Sequence, residues 1–398
     1  MRGLLVAFLL IVAGCDSDSL DAPPATFPDF KWSEPVDIRL AETIGFYDLH
    51  DLSVDASGSL DLLVAEIDDW RTVAPGRLLH LERSAEGMWS APVELAQSST
   101  LGPATMGTTS TGELHVAWWE NKQPEVSDDL SHLVTRSSDG QTWGEPEVLL
   151  VESTQRRDKA NGNDMVRSPS GALHLVARRG DRTLVHFATD QGQMRKLATM
   201  PSGLYPEFAT GFAPRLQLAY TATRVSQAGE QAKSNVYFGD VDESGGLSRE
   251  TLAYEQNTSS SHRPVAAVDA TGRRHLVWYQ NVRGQPRQLY HSHGSNGWYW
   301  STPESIAVTE GTVWDISTAA DGGGRLHVVV NTSNPSLNVY LRREADGTWS
   351  RPQKLFPSMG AFGARPQLAY DTQRGILHLI IDSGSRRIYH TTMTRLNE

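Results

Sequence analysis

His262 and Arg263 are neighbours in the stretch "SSHRPV", and Tyr279 follows in "LVWYQNVRGQPR". An imidazole and a phenol can act as general base and acid, and a guanidinium can neutralise a carboxylate through a planar pair of N–H donors. Further side chains of this kind lie in polar segments along the chain. They are Trp70 and Arg71 in "EIDDWRTVAPG", Trp119 and Lys122 in "WENKQPEVSDD", Arg178 in "RRGDR", Trp314 in "TEGTVWD" and Arg365 in "GARPQ". Aromatic faces beside Arg, Lys, Asn and Asp suit a sugar, which offers apolar ring CH groups and hydroxyls. Together with Arg263 and Tyr279 they form the candidate ligand-binding set; no residue is assigned as catalytic, and His262, Arg263 and Tyr279 would serve only if the protein is an enzyme.

What must position them is a repeat. "WSEPVDIRL" at Trp32 returns as "WSAPVEL" at Trp89, "WGEPEVL" at Trp143, "WSTPESI" at Trp300 and "WSRPQKL" at Trp349, with weaker copies at Met194 and Leu247. Successive separations are 57, 54, 51, 53, 53 and 49 residues. A period near 50 marks a repeat fold. A second element also recurs, a glycine turn feeding an alternating strand, as in "TGELHVAWW" at Thr111, "SGALHLVAR" at Ser170 and "GGRLHVVV" at Gly323. A third alternating element follows each, such as "LSHLVTRS" and "QLYHSHGS". Four short strands per repeat and no helical periodicity predict an all-β chain, a seven-bladed β-propeller of four-stranded blades. The opening "WSEPVDIRL" is a fourth strand without the first three, and Ala364 to Arg395 supplies three strands without a fourth. Pairing them closes the last blade with the N-terminal strand and removes an open edge.

In "TRSSDGQTWGEPEVL", Ser137, Asp139 and Gly140 make the turn between third and fourth strands, and Trp143 opens the fourth. This pattern resembles the Asp-box, or bacterial neuraminidase repeat, of sialidase-like propellers, in degenerate copies at "SAEGMW" and "EADGTW". In that family the boxes are structural and lie away from the active face. The chain departs from sialidases in its seven blades against their six. It also lacks their Phe-Arg-Ile-Pro signature, whose nearest matches are "SHRPV" and "GARPQ". Some seven-bladed propellers are polysaccharide lyases that use His or Tyr as base and Arg against a uronate. That resemblance implies these roles for His262, Tyr279 and Arg263.

His115, His174, His275, His327 and His378 occupy one repeat-equivalent position. Symmetry places them on five different blades, so they are structural second-strand residues rather than a metal cluster. His291 and His293 share a strand face, but two ligands do not make a site. "DVDESGG" at Asp240 is a turn without the remaining calcium ligands. No P-loop, dinucleotide fingerprint, His-Glu-x-x-His or Gly-x-Ser-x-Gly is present, so no cofactor or metal is expected.

The formal net charge of −11 disfavours nucleic acid as a partner. "MRGLLVAFLLIVAGC" has one basic residue and then an apolar run too short to span a bilayer, ending at Cys15, the only cysteine. It resembles the signal and lipobox of bacterial lipoproteins. The resemblance implies a signal peptide over residues 1–14, lipidation of Cys15, and membrane attachment through that lipid at the bacterial cell envelope. Residues 15–29 are acidic and Pro-rich and read as a tether, leaving residues 30–398 for the propeller. Asp16 resembles an inner-membrane retention signal, but that rule varies among bacteria, so the choice of membrane stays open. The function expected from the sequence is a binding or scaffold module for a glycan or an envelope protein. The alternative is a glycan-active enzyme, lyase-like or sialidase-like.

Overall fold

Runs such as "LHVAWW" and "LHVVV" carry apolar side chains on both faces, so each strand must be covered on both sides. In the computed structural model they are second strands of seven four-stranded antiparallel sheets, the seven-bladed β-propeller expected above. The structure describes residues 30–38, 40, 46–55, 57–67, 76–98, 100–121, 130–153, 162–224, 233–242, 244–255, 260–281, 284–295, 299–308, 311–357, 365–383 and 387–395. The leader, the tether, Cys15, Trp70, Arg71 and Lys122 lie outside the described residues.

The chain enters through β1 (Phe30–Trp32) and β2 (Val36–Ile38). Blade 1 is β3 (Phe46–Val54), β4 (Leu60–Ile67), β5 (Gly76–Arg83) and β6 (Val93–Ser98). Blade 2 is β7 (Thr100–Thr108), β8 (Leu114–Asn121), β9 (Leu130–Ser138) and β10 (Glu147–Ser153). Blade 3 is β11 (Asn163–Arg167), β12 (Leu173–Arg178), β13 (Thr183–Asp190) and β14 (Gln193–Ser202). Blade 4 is β15 (Leu204–Phe208), β17 (Gln217–Arg224), β18 (Lys233–Val241) and β19 (Leu247–Tyr254), with β16 (Thr210–Gly211) crossing to pair parallel with blade 5. Blade 5 is β20 (Ser260–Val268), β21 (Arg274–Asn281), β22 (Gln288–Gly294) and β23 (Glu304–Ile306). Blade 6 is β24 (Thr312–Ala320), β25 (Leu326–Ser333), β26 (Leu337–Arg343) and β27 (Gln353–Leu355). Blade 7 is β28 (Gln367–Asp371), β29 (Ile376–Ser383) and β30 (Arg387–Arg395), with β1 and β2 paired onto β30. Both ends of the chain therefore close one blade, as the sequence implied. The first strands touch in the circle β3–β7–β11–β15–β20–β24–β28–β3, so they line the axis.

The core is divided into one apolar cluster per pair of adjacent blades. Strand alternation supplies it. In β25, Leu326, Val328 and Val330 face blade 5 while Val329 faces blade 7. The recurring tryptophans seal these interfaces. Each meets the edge of a ring on the third strand of the preceding blade. Trp32 meets Tyr340 at 5.4 Å, Trp89 meets His390 at 5.7 Å and Trp143 meets His80 at 5.3 Å. Trp300 meets Phe238 at 5.1 Å, and Trp349 meets His291 at 5.2 Å. The weaker copies do the same work with smaller side chains: Met194 packs between blades 2 and 3, and Leu247 between blades 3 and 4. The turn that precedes Trp143 is built as expected. Asp139 Oδ1 accepts the backbone N–H of Gln141 at 2.9 Å and of Thr142 at 2.8 Å, and Gly140 sits at φ 87°.

The five repeat-equivalent histidines are buried on their five blades. Four of them point a ring nitrogen at the third strand: His174 at His186 (2.9 Å), His275 at His291 (3.1 Å), His327 at the Tyr340 hydroxyl (2.7 Å) and His378 at His390 (3.1 Å). His115 lies 3.5 Å from Glu113 instead. His291 turns its other nitrogen to Glu304 at 2.8 Å, so neither ring nitrogen is left for a metal shared with His293. Burial holds these imidazoles neutral: His174, His186 and His378 fall to about 4, His291 and His390 to about 3.

Two predictions follow from these interfaces. Trp349→Ala should cost about 2–4 kcal/mol in chemical denaturation, whereas Tyr299→Ala, 88% exposed, should stay within about 0.5 kcal/mol of the parent. Below pH 6.5 an unfolded chain protonates His390 and the native one does not, so that residue's contribution is complete above pH 6.5 and shrinks as pH falls towards about 3. The stability difference between the parent and His390→Gln should therefore narrow by about 1.4 kcal/mol per pH unit below pH 6. A difference that is flat from pH 7 to pH 4.5 would show that His390 takes up a proton without penalty.

Candidate functional site

The axial strands keep their apolar alternation in the middle of the ring and break it near one end. Register shifts mark the break between Leu49 and Asp51 in β3, Leu101 and Ala104 in β7, and Leu204 and Glu207 in β15. The same happens between His262 and Val265 in β20 and between Val313 and Asp315 in β24. A bulge of this kind re-aims a side chain that the regular pleat would send into a blade interface. Two bulge residues that are not glycine sit in the left-handed region, Tyr205 (φ 52°) and Arg263 (φ 48°). Such backbone costs on the order of 1–3 kcal/mol and persists only where the surroundings fix it.

The result is a polar cavity of about 160 Å³ on the axis. Asp51, Asp164 and Glu207 lie on its wall. Asp51 Oδ2 accepts the N–H of Met106 at 2.8 Å and the Thr105 hydroxyl at 2.9 Å, tying blade 1 to blade 2. Asp164 accepts the N–H of Phe208 at 2.5 Å, tying blade 3 to blade 4. Burial raises all three carboxyls, and repulsion from neighbouring carboxylates adds to it for Glu207 and for Asp164, which rises to about 8.

Above this wall lies a cluster from blades 4 to 7. His262 and Tyr279 are opposite each other in the β20–β21 register, and their rings stack with centroids 5.7 Å apart. Tyr205 meets the His262 ring edge-on at 6.1 Å, and the Arg263 guanidinium lies 5.8 Å from the centre of the Tyr205 ring. Arg287 sits between two aromatic rings, 5.0 Å from Tyr279 and 4.7 Å from Trp314. Trp314 is the extra residue of the β24 bulge and is 43% exposed. The next residue, Asp315, points back to the axis, where it pairs with Arg263 and lies 3.5 Å from Arg365.

The electrostatics divide the proton-carrying groups. Burial, then the charges of Arg287 and Arg263, lowers the pKa of His262, so its imidazole is neutral. Burial raises that of Tyr279 against the pull of Arg263, Arg287 and Arg365, so its phenol stays protonated. A free base and a loaded acid thus stand side by side beneath cationic groups.

The structure therefore brings together His262, Arg263, Tyr279, Trp314 and Arg365 from the sequence-derived sets. It corrects two others. Trp119 is 3% exposed and packs between blades 2 and 3 against Met165 and Leu175, and Arg178 is 3% exposed in blade 3. Of the sequence-derived residues, Arg263 and Arg365 line the axial cavity, and Trp119, Arg178, His262, Tyr279 and Trp314 do not. Trp119 and Arg178 both end second strands, which adjacent blades bury on both faces. Tyr279 holds the equivalent place in β21 and is itself 5% exposed in the core between blades 5 and 6, and it joins the cluster through its stack on His262 and its contact with Arg287. Tyr205, Arg287, Asp315 and the three axial carboxyls were not singled out from the sequence. For Asp51, Asp164, Glu207 and Asp315 the signal is an acidic residue inside a first strand, which one sequence shows only weakly, and Arg287 precedes a third strand.

No protein-family model matches the chain, and no curated protein matches it. Solved structures do. A PL25 ulvan lyase bound to -[GlcA(1-4)Rha3S]- superposes with a TM-score of 0.57 at 12% identity, over 88% of this chain and 95% of that one. The polysaccharide lyase Uly1 gives 0.56 at 10% identity, over 90% and 91%. The GH93 α-L-arabinofuranosidase of Fusarium graminearum in complex with arabinobiose gives 0.50 at 14% identity, over 74% and 93%. At these identities the likeness is one of fold: the chain is a seven-bladed β-propeller whose structural neighbours are glycan-active propeller enzymes.

Proposed function

We propose that the protein is a glycan-active enzyme, a polysaccharide lyase acting on a uronate-containing glycan at the end of the axis where His262 and Tyr279 meet. The observation that carries this reading is the pairing of a neutral imidazole with a protonated phenol beside the guanidinium of Arg263. In a β-elimination Arg263 neutralises the uronate carboxylate, which acidifies the proton on C5. His262 takes that proton, the bond from C4 to the glycosidic oxygen breaks, and the Tyr279 hydroxyl protonates the leaving oxygen. A double bond between C4 and C5 remains, so no oxidant, cofactor or water is consumed. The exposed face of Trp314, held by Arg287, offers a stacking surface for a neighbouring sugar ring. Two of the structural neighbours are polysaccharide lyases, which supports this reading over the scaffold role expected from the sequence. Attachment to the bacterial envelope through Cys15 belongs to the same proposal and would place the enzyme where extracellular glycans arrive.

The test is a screen of uronate polymers with the domain from Asp16 onward, following the ultraviolet absorbance of the unsaturated product. His262→Ala and Tyr279→Phe should each lower kcat by at least about 100-fold with the circular dichroism spectrum unchanged. Activity of the parent should fall only at pH below 6.5, where His262 gains a proton, and should hold well above neutrality. Binding without product would return the protein to the class of glycan-binding modules. Cleavage without unsaturation would move the chemistry to Asp164 and Glu207, since hydrolysis of a glycoside takes a pair of carboxyl groups.

A further inference from the structure

Three blades contribute one charged side chain each to a single point on the cavity wall. Asp315 comes from blade 6, and its side chain is 5% exposed. Its Oδ1 meets a guanidinium nitrogen of Arg263 from blade 5, and the same oxygen lies 3.5 Å from Nε of Arg365, which precedes blade 7. The arginines are more open than the acid, with side chains 26% and 38% exposed. All three line the axial cavity.

The charges do not balance. Within the trio, two guanidiniums against one carboxylate leave one positive charge, which Asp48 offsets in part from nearby. Arg263 keeps its proton at neutral pH, although burial and the nearby Arg365 bring it down to about 10. Its backbone is held at positive φ in the β20 bulge, and its guanidinium lies between Asp315 and the Tyr205 ring. Planar guanidiniums fixed toward one point are the arrangement that recognises a carboxylate. Here a carboxylate of the chain already occupies part of that arrangement.

We propose that Arg263 and Arg365 form an oxyanion site with Asp315 as its resident counter-ion, and that Asp315 sets the site to accept one singly charged carboxylate rather than a doubly charged oxyanion. The inference deepens the uronate reading and rests on it for the identity of the natural ligand. A carboxylate ligand cancels the remaining charge of the trio. A sulfate or phosphate dianion overshoots it and is repelled by Asp315 at close range.

A simple anion tests the site independently of turnover. The thermal midpoint of the full-length protein is titrated with sodium sulfate against sodium chloride at matched ionic strength. Asp315→Asn keeps an acceptor oxygen for Arg263 and leaves the site doubly positive. It should gain a sulfate-specific stabilisation with an apparent affinity at least about tenfold tighter than the parent's. The double variant Asp315→Asn/Arg365→Gln should lose it. An equal sulfate response in parent and Asp315→Asn, or a gain that survives Arg365→Gln, overturns the inference. Should Asp315→Asn not fold, Arg365→Gln alone decides. It leaves Arg263 and Asp315 as a closed neutral pair and should abolish stabilisation of the parent by sodium glucuronate, and unchanged stabilisation overturns the inference. A sulfate gain in Asp315→Asn, with no lyase activity of the parent on any uronate polymer, would sink the lyase reading and leave the oxyanion site standing.

Discussion

Everything in this protein depends on sealing one blade against the next. A blade buried on both faces has no solvent side, and the ring has no central core to fall back on. Stability is therefore the sum of its interfaces, each made by two inward-facing strand surfaces and locked at its rim by a tryptophan, methionine or leucine from the fourth strand. The lock meets an aromatic ring of the preceding blade wherever it is a tryptophan. The buried histidines belong to the same device. They fill the space between second and third strands with a polar group that finds its partner inside the blade, as His378 does with His390. Closing the last blade with β1 and β2 completes the ring without an open edge.

That rigid wall is what lets the axial end carry strain. The bulges of the first strands forfeit ladder pairing, and two of them hold Tyr205 and Arg263 in the left-handed region. In return the bulges bring Arg263 and Asp315 together at the axis and leave Trp314 against Arg287, beside the His262–Tyr279 pair. The site is thus a set of exceptions to the strand alternation that builds the interfaces. Its distinct pKa pattern comes first from burial, which lowers His262 and raises Tyr279.

The architecture was legible because its signals are local and repeated. A turn rich in Ser, Asp and Gly before Trp143 recurs closely enough at Trp89 and Trp349 to fix the period, and the unpaired "WSEPVDIRL" gave away the closure. The site was legible only in part. His262, Arg263 and Tyr279 were found because they lie near one another in sequence and in chemically apt types. Asp315 and Arg365 join them from other blades, a convergence that depends on ring closure and on bulges no single sequence displays. Trp119 and Arg178 went astray for a related reason: chemical aptness near a loop says nothing about which side of a doubly covered strand a residue takes.

The claim on which the functional account turns is that a neutral base faces a protonated acid at the axial mouth. The most direct measurement is the pKa of the His262 imidazole in the folded protein, followed by nuclear magnetic resonance with His262→Gln to assign the signal. The account predicts a value below the ordinary 6.5, with a further fall when a second positive charge is left unpaired nearby in Asp315→Asn. A value above 7 would mean that His262 is an imidazolium at working pH, stabilised by an acidic partner, and would contradict its role as the proton acceptor.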